Sequence, residues 1–202
     1  MIELLPIILI DTGEQCPLVL PTLPCEWANI EKKSGVDYGI KGFTVAKPPD
    51  TEDLTRRYLL PNAGVLEKEE RTRRAFAITR KSLGDLCSSM GKGHDEFEAQ
   101  VEIMSRYKFR ALVIESTRNM VEMEAYRSDI KASSVLHGLD AFAVRMGLHV
   151  IWCGDAKGAA ERVETLARMF VRGIEKDYRT LVRYTPAAAP RTKCVLLDKE
   201  AS

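Results

Sequence analysis

Between residues 75 and 175 the sequence alternates short aliphatic runs with longer amphipathic ones, and that alternation leaves few folds open. "AFAI" (75–78), "RALVIES" (110–116) and "HVIWCG" (149–154) have the length and β-branched content of buried strands. Between them lie stretches with a 3.6-residue apolar period. Ser82 opens "SLGDLCSSM" as an N-cap, with Asp85 three residues on in the place of a capping-box acid. "HDEFEAQVEIMSRY" sets Phe97, Val101, Met104 and Tyr107 on one stripe. In "SSVLHGLDAFAVRMG" the stripe is Val135, Leu136, Leu139, Phe142, Ala143 and Met146, with Gly147 as the stop. Asp155 then caps a long helix whose Ala159, Val163, Leu166, Phe170 and Ile174 face the core. Strand, helix, strand, helix, strand, helix predicts an α/β sandwich whose later strands are parallel or mixed.

The first half is less regular. "IILI" (7–10) reads as a buried strand that ends in the polar turn "DTGEQ" and delivers Asp11 and Glu14 there. "CPLVLPTLPCEW" (16–27) is read as loop with a helical turn, because proline cannot continue a regular helix. "DYGIKGFTVA" (37–46) is a strand or hairpin arm that Gly39 and Gly42 allow to bend. Residues 47–74, rich in proline and charge and closed by Arg71, Arg73 and Arg74, read as an insertion at a hairpin tip. The expected organisation is one domain over residues 1–182 carrying that insertion, then a linker-like tail over 183–202.

Composition removes several alternatives. Lys and Arg number 30 against 29 Asp and Glu, a net charge of +1, so a chain that coats nucleic acid through bulk positive charge is excluded and only local patches can bind it. Five scattered cysteines without C-x-x-C spacing give neither a disulfide framework nor a zinc knuckle. The N-terminal "MIELLPIILID" has no basic leader region and is far short of the ~20 apolar residues that span a bilayer. The expectation is a cytoplasmic protein in a reducing compartment, with no membrane partner.

Charged residues gather at strand ends: Asp11 with Glu14, Asp37, and Arg80 and Lys81 followed by Asp85. Carboxylates from neighbouring strands plus a lysine suit phosphodiester hydrolysis. Hard oxygen ligands hold Mg²⁺ or Mn²⁺, the metal acidifies its bound water, and the ammonium offsets developing charge. The same residues also fit a plain account, in which Arg80 and Lys81 are a solvated turn, Asp85 answers the helix dipole, and Asp37 is a turn residue. Glu115 is equally a strand-end surface charge or a site residue. Lys92, Arg106, Lys108 and Arg110 form a basic group able to meet DNA phosphates. His94, His137 and His149 share no ligand spacing.

In order along the chain, "DTGEQ" (11–15), "VDYGIKGF" (36–43) and "TRKSLGDL" (79–86) resemble the motifs of the XPF-type structure-specific endonucleases, whose nuclease domain is restriction-endonuclease-like. The resemblance covers residues 7 to about 180, in the compact form of prophage-encoded members. It implies a three-layer sandwich with a central mixed sheet flanked by helices, DNA as partner, a Mg²⁺ or Mn²⁺ cofactor, a bacterial or phage-infected cell, and pairing of two copies through this domain. Carried over by position, Asp37 is the metal-binding aspartate, helped by Asp11 or Glu14; Lys81 is the catalytic lysine; and Asp85 positions it. Arg80, Lys92 and Arg106 are the DNA contacts on this reading. Three positions depart from the pattern: Gly13 replaces an arginine, Val36 a glycine, and Thr79 the metal-ligating glutamate. A hydroxyl offers a hard dication a neutral oxygen where a carboxylate offers a full charge. Either another acid (Asp11, Glu14, or Glu67, Glu69 and Glu70 of the insertion) completes the set, or the chain binds DNA or a partner without cutting.

Overall fold

The computed structural model describes residues 5–31, 34–47 and 74–184. The strands are β1 (Ile8–Asp11), β2 (Cys25–Ile30), β3 (Tyr38–Ile40), β4 (Ala46–Lys47), β5 (Phe76–Lys81), β6 (Phe109–Ile114) and β7 (His149–Trp152). The helices are α1 (Leu83–Met90), α2 (His94–Met104), α3 (Arg118–Glu122), α4 (Ala132–Met146) and α5 (Ala156–Tyr184). One mixed sheet runs in the order β4-β2-β1-β3-β5-β6-β7. The two-residue β4 is only an edge extension of six substantial strands.

Strand direction reverses around β3. It is antiparallel to both β1 and β5, whereas β5, β6 and β7 are mutually parallel, as are β1 and β2. Each parallel step in the second half is bridged by helix, as a parallel crossover requires.

Both faces of the sheet are covered, which makes the three layers. Because side chains alternate across a strand, Leu9, Ala77, Leu112 and Ile114 join the core under α1, α2 and α4. Ile8, Ile10, Phe76, Ile78, Ala111 and Val113 join the core under α5 and the loop 16–24. Each of the Leu, Ile, Val and Phe side chains contributes roughly 1.5–3 kcal/mol by leaving water, the two alanines less. The three-layer α/β sandwich with a central mixed sheet expected from the sequence is the observed architecture.

Several local readings hold. Ser82 Oγ accepts from the N–H of Asp85 at 3.2 Å. Gly147 ends α4 at φ 64°, and a Cβ there would lie 2.3 Å from an Arg110 guanidinium nitrogen. Asp155 Oδ1 accepts from Gly158 N at the start of α5. Gly39 works differently from expectation. It permits no bend but a close approach: its missing Cβ would stand 2.5 Å from Thr44 Oγ1. That hydroxyl accepts from Ile40 N and donates to the carbonyl of Phe76, tying β3 to the start of β5.

Other readings need correction. Cys25–Trp27 are not loop but the start of β2, a strand whose outward residues are exposed, Trp27 at 59%, so no apolar alternation announced it. The expected strand 37–46 is only three residues long before a turn with Gly42 at φ 85°. Tyr107 lies beyond the end of α2, yet is buried. The short helix α3 has no periodic stripe to reveal it. Of the insertion, residues 48–73, with Glu67, Glu69, Glu70, Arg71 and Arg73, lie outside the described residues, as do tail residues 185–202. Among the described residues no helix is long and apolar enough to cross a membrane.

The loop 16–24 is held by a buried acid. Glu164 of α5 accepts from the main-chain N–H groups of Thr22 and Leu23 and from the Thr22 hydroxyl, across 142 residues of sequence. Arg168 adds hydrogen bonds to the Thr22 carbonyl and hydroxyl.

Candidate active site at the reversal of strand direction

Register places the polar residues. The N–H of Asp11 donates to the carbonyl of Asp37, and the N–H of Asp37 donates to that of Ile78, so β1, the entry to β3 and the end of β5 meet in one row. Asp37 Oδ2 then accepts twice from the next residues of β5: from Arg80 N at 2.6 Å and from Thr79 Oγ1 at 3.1 Å. Oδ1 has no hydrogen bond among the described residues.

Burial pushes the Asp37 carboxyl up to about 6; the Arg80 N–H and Thr79 hydroxyl bonds pull against it, and the Glu14 charge adds to the rise. Lys81 lies within electrostatic range and is the weakest of these influences.

Alternation along β5 splits the remaining residues between two faces. Thr79 and Lys81 point to the α1/α2 side, where Thr79 is 2% exposed and Lys81 Nζ sits 4.9 Å from the Phe97 ring centre, a cation–π contact. Arg80 points to the α5 side. There it bridges two acids, with Nη2 to Glu14 Oε1 at 3.0 Å and Nη1 to Glu115 Oε1 at 2.7 Å. All three side chains are at most 15% exposed. Burial opposes the charge on Arg80, yet the Glu115 hydrogen bond and the Glu14 charge outweigh it and hold the guanidinium above its ordinary range. Its Nε is buried without a partner among the described residues.

The sequence-selected residues are therefore only partly gathered. Asp11 is adjacent to Asp37, but both its oxygens are taken, Oδ1 by Ile30 N and Oδ2 by Gly13 N. Asp85 accepts from Ser82 Oγ at 2.7 Å; it makes no ion pair with Lys81, so the expected positioning of that lysine is not seen. Arg80 faces inward between Glu14 and Glu115, so its charge is already balanced rather than presented to a phosphate. Lys92, in the turn after α1, is ~12 Å down that helix from the site. Arg106 precedes β6, whose Phe109 pairs with Phe76 at the far end of β5, ~16 Å from Lys81. Arg110 is spent on the carbonyls of Met146 and Tyr107.

Glu115, left open by the sequence, is the second jaw on Arg80. A signal existed: β5 and β6 are parallel neighbours of equal length, with Lys81 opposite Ile114, so the next residue of β6 had to arrive beside the end of β5.

Does this set fit a divalent cation? Such an ion needs several carboxylate or carbonyl oxygens converging on one point. Among the described residues no three His, Cys, Asp or Glu side chains converge in that way. Each oxygen of Asp11 already accepts a main-chain N–H, Glu14 and Glu115 already hold a cation in Arg80, and Thr79 donates its hydroxyl to Asp37. The described residues do not fit the metal that the motif pattern implies.

A strand-end acid and lysine on a mixed sheet enclosed by helices form the arrangement that the resemblance of the motifs implies. The chain matches the family model of the ERCC4 domain over residues 34–166 and belongs to that family, one of structure-specific DNA endonucleases. No curated protein matches it in sequence. It is similar in fold to XPF from Aeropyrum pernix, with a TM-score of 0.54 at 16% identity over 91% of this chain and 76% of that one. XPF from Aeropyrum pernix in complex with DNA gives a TM-score of 0.53 at 16% identity, over 83% of this chain and 66% of that chain.

Proposed function

We propose that the chain is a DNA endonuclease domain acting on branched or flapped DNA, throttled at one position of its site. Family membership supports the substrate class and the hydrolytic lineage. One observation carries the throttling: where the motif pattern has a metal-ligating glutamate, Thr79 Oγ1 donates to the remaining acid, Asp37. The hydroxyl satisfies Asp37 without adding charge, so the site has one metal-binding acid with the family's lysine position, Lys81, on the same face of the sheet. Binding of DNA does not depend on that metal. Action in the cytoplasm, which rests on the scattered cysteines, and pairing of two copies, which rests on the resemblance, belong to the same proposal.

A second reading is favoured by Asp37 Oδ1, which is unbonded among the described residues: an unthrottled Mg²⁺- or Mn²⁺-dependent nuclease whose ligand set is completed by Glu67, Glu69 or Glu70. Cleavage of labelled duplex, flap and fork DNA in Mg²⁺ and Mn²⁺, comparing the chain with Thr79→Glu, separates the two. The expected result is fork cleavage at least about 100-fold faster in Thr79→Glu, the scale of ~3 kcal/mol that a lost electrostatic group costs an enzyme. Equal, brisk cleavage by both proteins establishes the second reading. No cleavage and no fork binding by either rejects both.

A further inference from the structure

On the α5 face of the sheet, beside Arg80 and Glu115, a groove of about 560 Å³ opens between the proline-rich loop and the first turns of α5. The volume lies within the usual range for small-ligand sites. Pro17, Leu18, Val19 and Pro21 form one wall, and Ala156 and Ala160 form part of the other. Leu18 is fixed through its N–H, which donates to the buried Tyr38 hydroxyl at 2.8 Å. Glu164 holds the far end of the loop at Thr22 and Leu23. The wall is thus pinned at both ends, and yet Val19 is 82% exposed, an apolar side chain standing at an open mouth.

Charge selects the occupant. The groove is lined by two cations, Arg80 and Lys157, and two anions, Glu115 and Glu161, so its total is zero. A phosphate entering it would meet two carboxylates, and an acidic or basic peptide would be repelled by one pair or the other. A neutral, flat, apolar-faced group with hydrogen-bonding edges is what fits: its faces lie against Pro17, Val19 and Ala160, and its edge meets the Arg80–Glu115 pair. Within a domain that acts on branched DNA, such a group is an unpaired nucleobase.

We infer that this groove receives an unstacked base from the single-stranded arm of a DNA junction, at the same strand ends as Thr79 and Lys81 but on the opposite face of the sheet. The inference rests on the proposed action on branched DNA and adds the element that recognises the branch. Duplex DNA cannot supply the base without breaking a pair, which costs a few kcal/mol. The groove therefore discriminates junctions from duplex with no contact to sequence.

Cys16 lines the groove and is exposed, which gives a chemical test in the unaltered protein. Fork DNAs carrying a thiol-tethered base at single positions are incubated with the protein under disulfide-exchange conditions. Binding of each fork is measured alongside by fluorescence anisotropy. Disulfide capture is expected at unpaired positions next to the branch, at least about tenfold above paired positions, and lost in Cys16→Ser. The exposed loop variant Val19→Asp is expected to weaken fork binding about tenfold while duplex binding stays unchanged. Capture that is equal at paired positions or that survives Cys16→Ser overturns the inference while leaving the proposed function standing. So does an unchanged fork-to-duplex ratio in Val19→Asp. Absence of fork binding by the unaltered protein overturns both.

Discussion

The N–H of Arg80 donates to Asp37 Oδ2 at 2.6 Å, while the guanidinium of the same residue turns to the opposite face of the sheet to hold Glu14 and Glu115. One residue thus anchors the candidate site twice, by its main chain toward Asp37 and by its side chain toward the groove. The two contacts make separate demands on stability.

Asp37 gives a pH signature. Its carboxyl rises from an ordinary 3.8 to about 6 because burial disfavours the charge. The folded state therefore holds the proton more tightly than the unfolded state. The contribution of Asp37 to stability is greatest at and below pH ~4, falls as the pH rises through the window between these two values, and is flat above it, with a span of at most about 3 kcal/mol. Urea unfolding of the unaltered protein and of Asp37→Asn at pH 4.5 and pH 7 should show that decline as the difference between them, with Asp37→Asn gaining stability relative to the unaltered protein as the pH rises. A native protein whose Asp37-dependent stability instead increases over that window would contradict the assignment.

Thr79→Val keeps the shape of a buried strand residue and removes one hydrogen bond to Asp37. A cost of about 1 kcal/mol is expected. The Asp37 titration, followed by carboxyl NMR, should move upward, because the Thr79 hydroxyl is among the groups that hold it down.

Arg80→Met removes the cation between two nearly buried acids and leaves them facing each other near Asp37. Destabilisation of about 3–5 kcal/mol is the expected scale for an ion pair broken from one side. The same change uncovers carboxylate oxygens. Millimolar Mg²⁺ should therefore raise the melting temperature of Arg80→Met and leave the unaltered protein nearly unmoved; equal shifts would show that Arg80 does not occupy the cation position.

Gly39→Ala drives a methyl group into Thr44 at 2.5–2.6 Å, inside the buried contact that ties β3 to β5. A loss of about 2–3 kcal/mol is expected, on the scale of overpacking a core. Thr44→Ala in the same chain should recover part of it, as residues in direct contact couple. Additive losses would place the clash elsewhere.

The architecture was legible where both faces of a strand or one face of a helix are buried, because burial writes periodicity. β5, β6, α2, α4 and α5 are of that kind, and so are the caps at Ser82, Gly147 and Asp155. β2 was invisible because three of its first residues face solvent, and α3 because five residues make no stripe. At the site, the ordered motifs located Asp37, Thr79, Arg80 and Lys81 but not their orientations. Adjacent residues on a strand point to opposite faces, so Arg80 and Lys81, neighbours in sequence, serve different surfaces. The spacing shared by Lys81 and Asp85 suits a salt bridge on a helix, but Lys81 is still strand, and Asp85 answers Ser82 instead.

The link from Glu164 to Thr22 and Leu23 has a bearing on when the groove exists. A ribosome delivers Thr22 early and Glu164 only after most of the domain has been made, and the contact must wait for a loop of 142 residues to close. The Thr22–Leu23 end of the proline-rich wall therefore sets only when α5 docks, a late step of a fold with such long-range contacts, although Leu18 can meet Tyr38 early. A chain lacking α5 would carry Asp37 and Lys81 on the sheet yet lose the hold of Glu164 on Thr22 and Leu23, so the proposed base groove would depend on a helix that touches neither Asp37 nor Lys81.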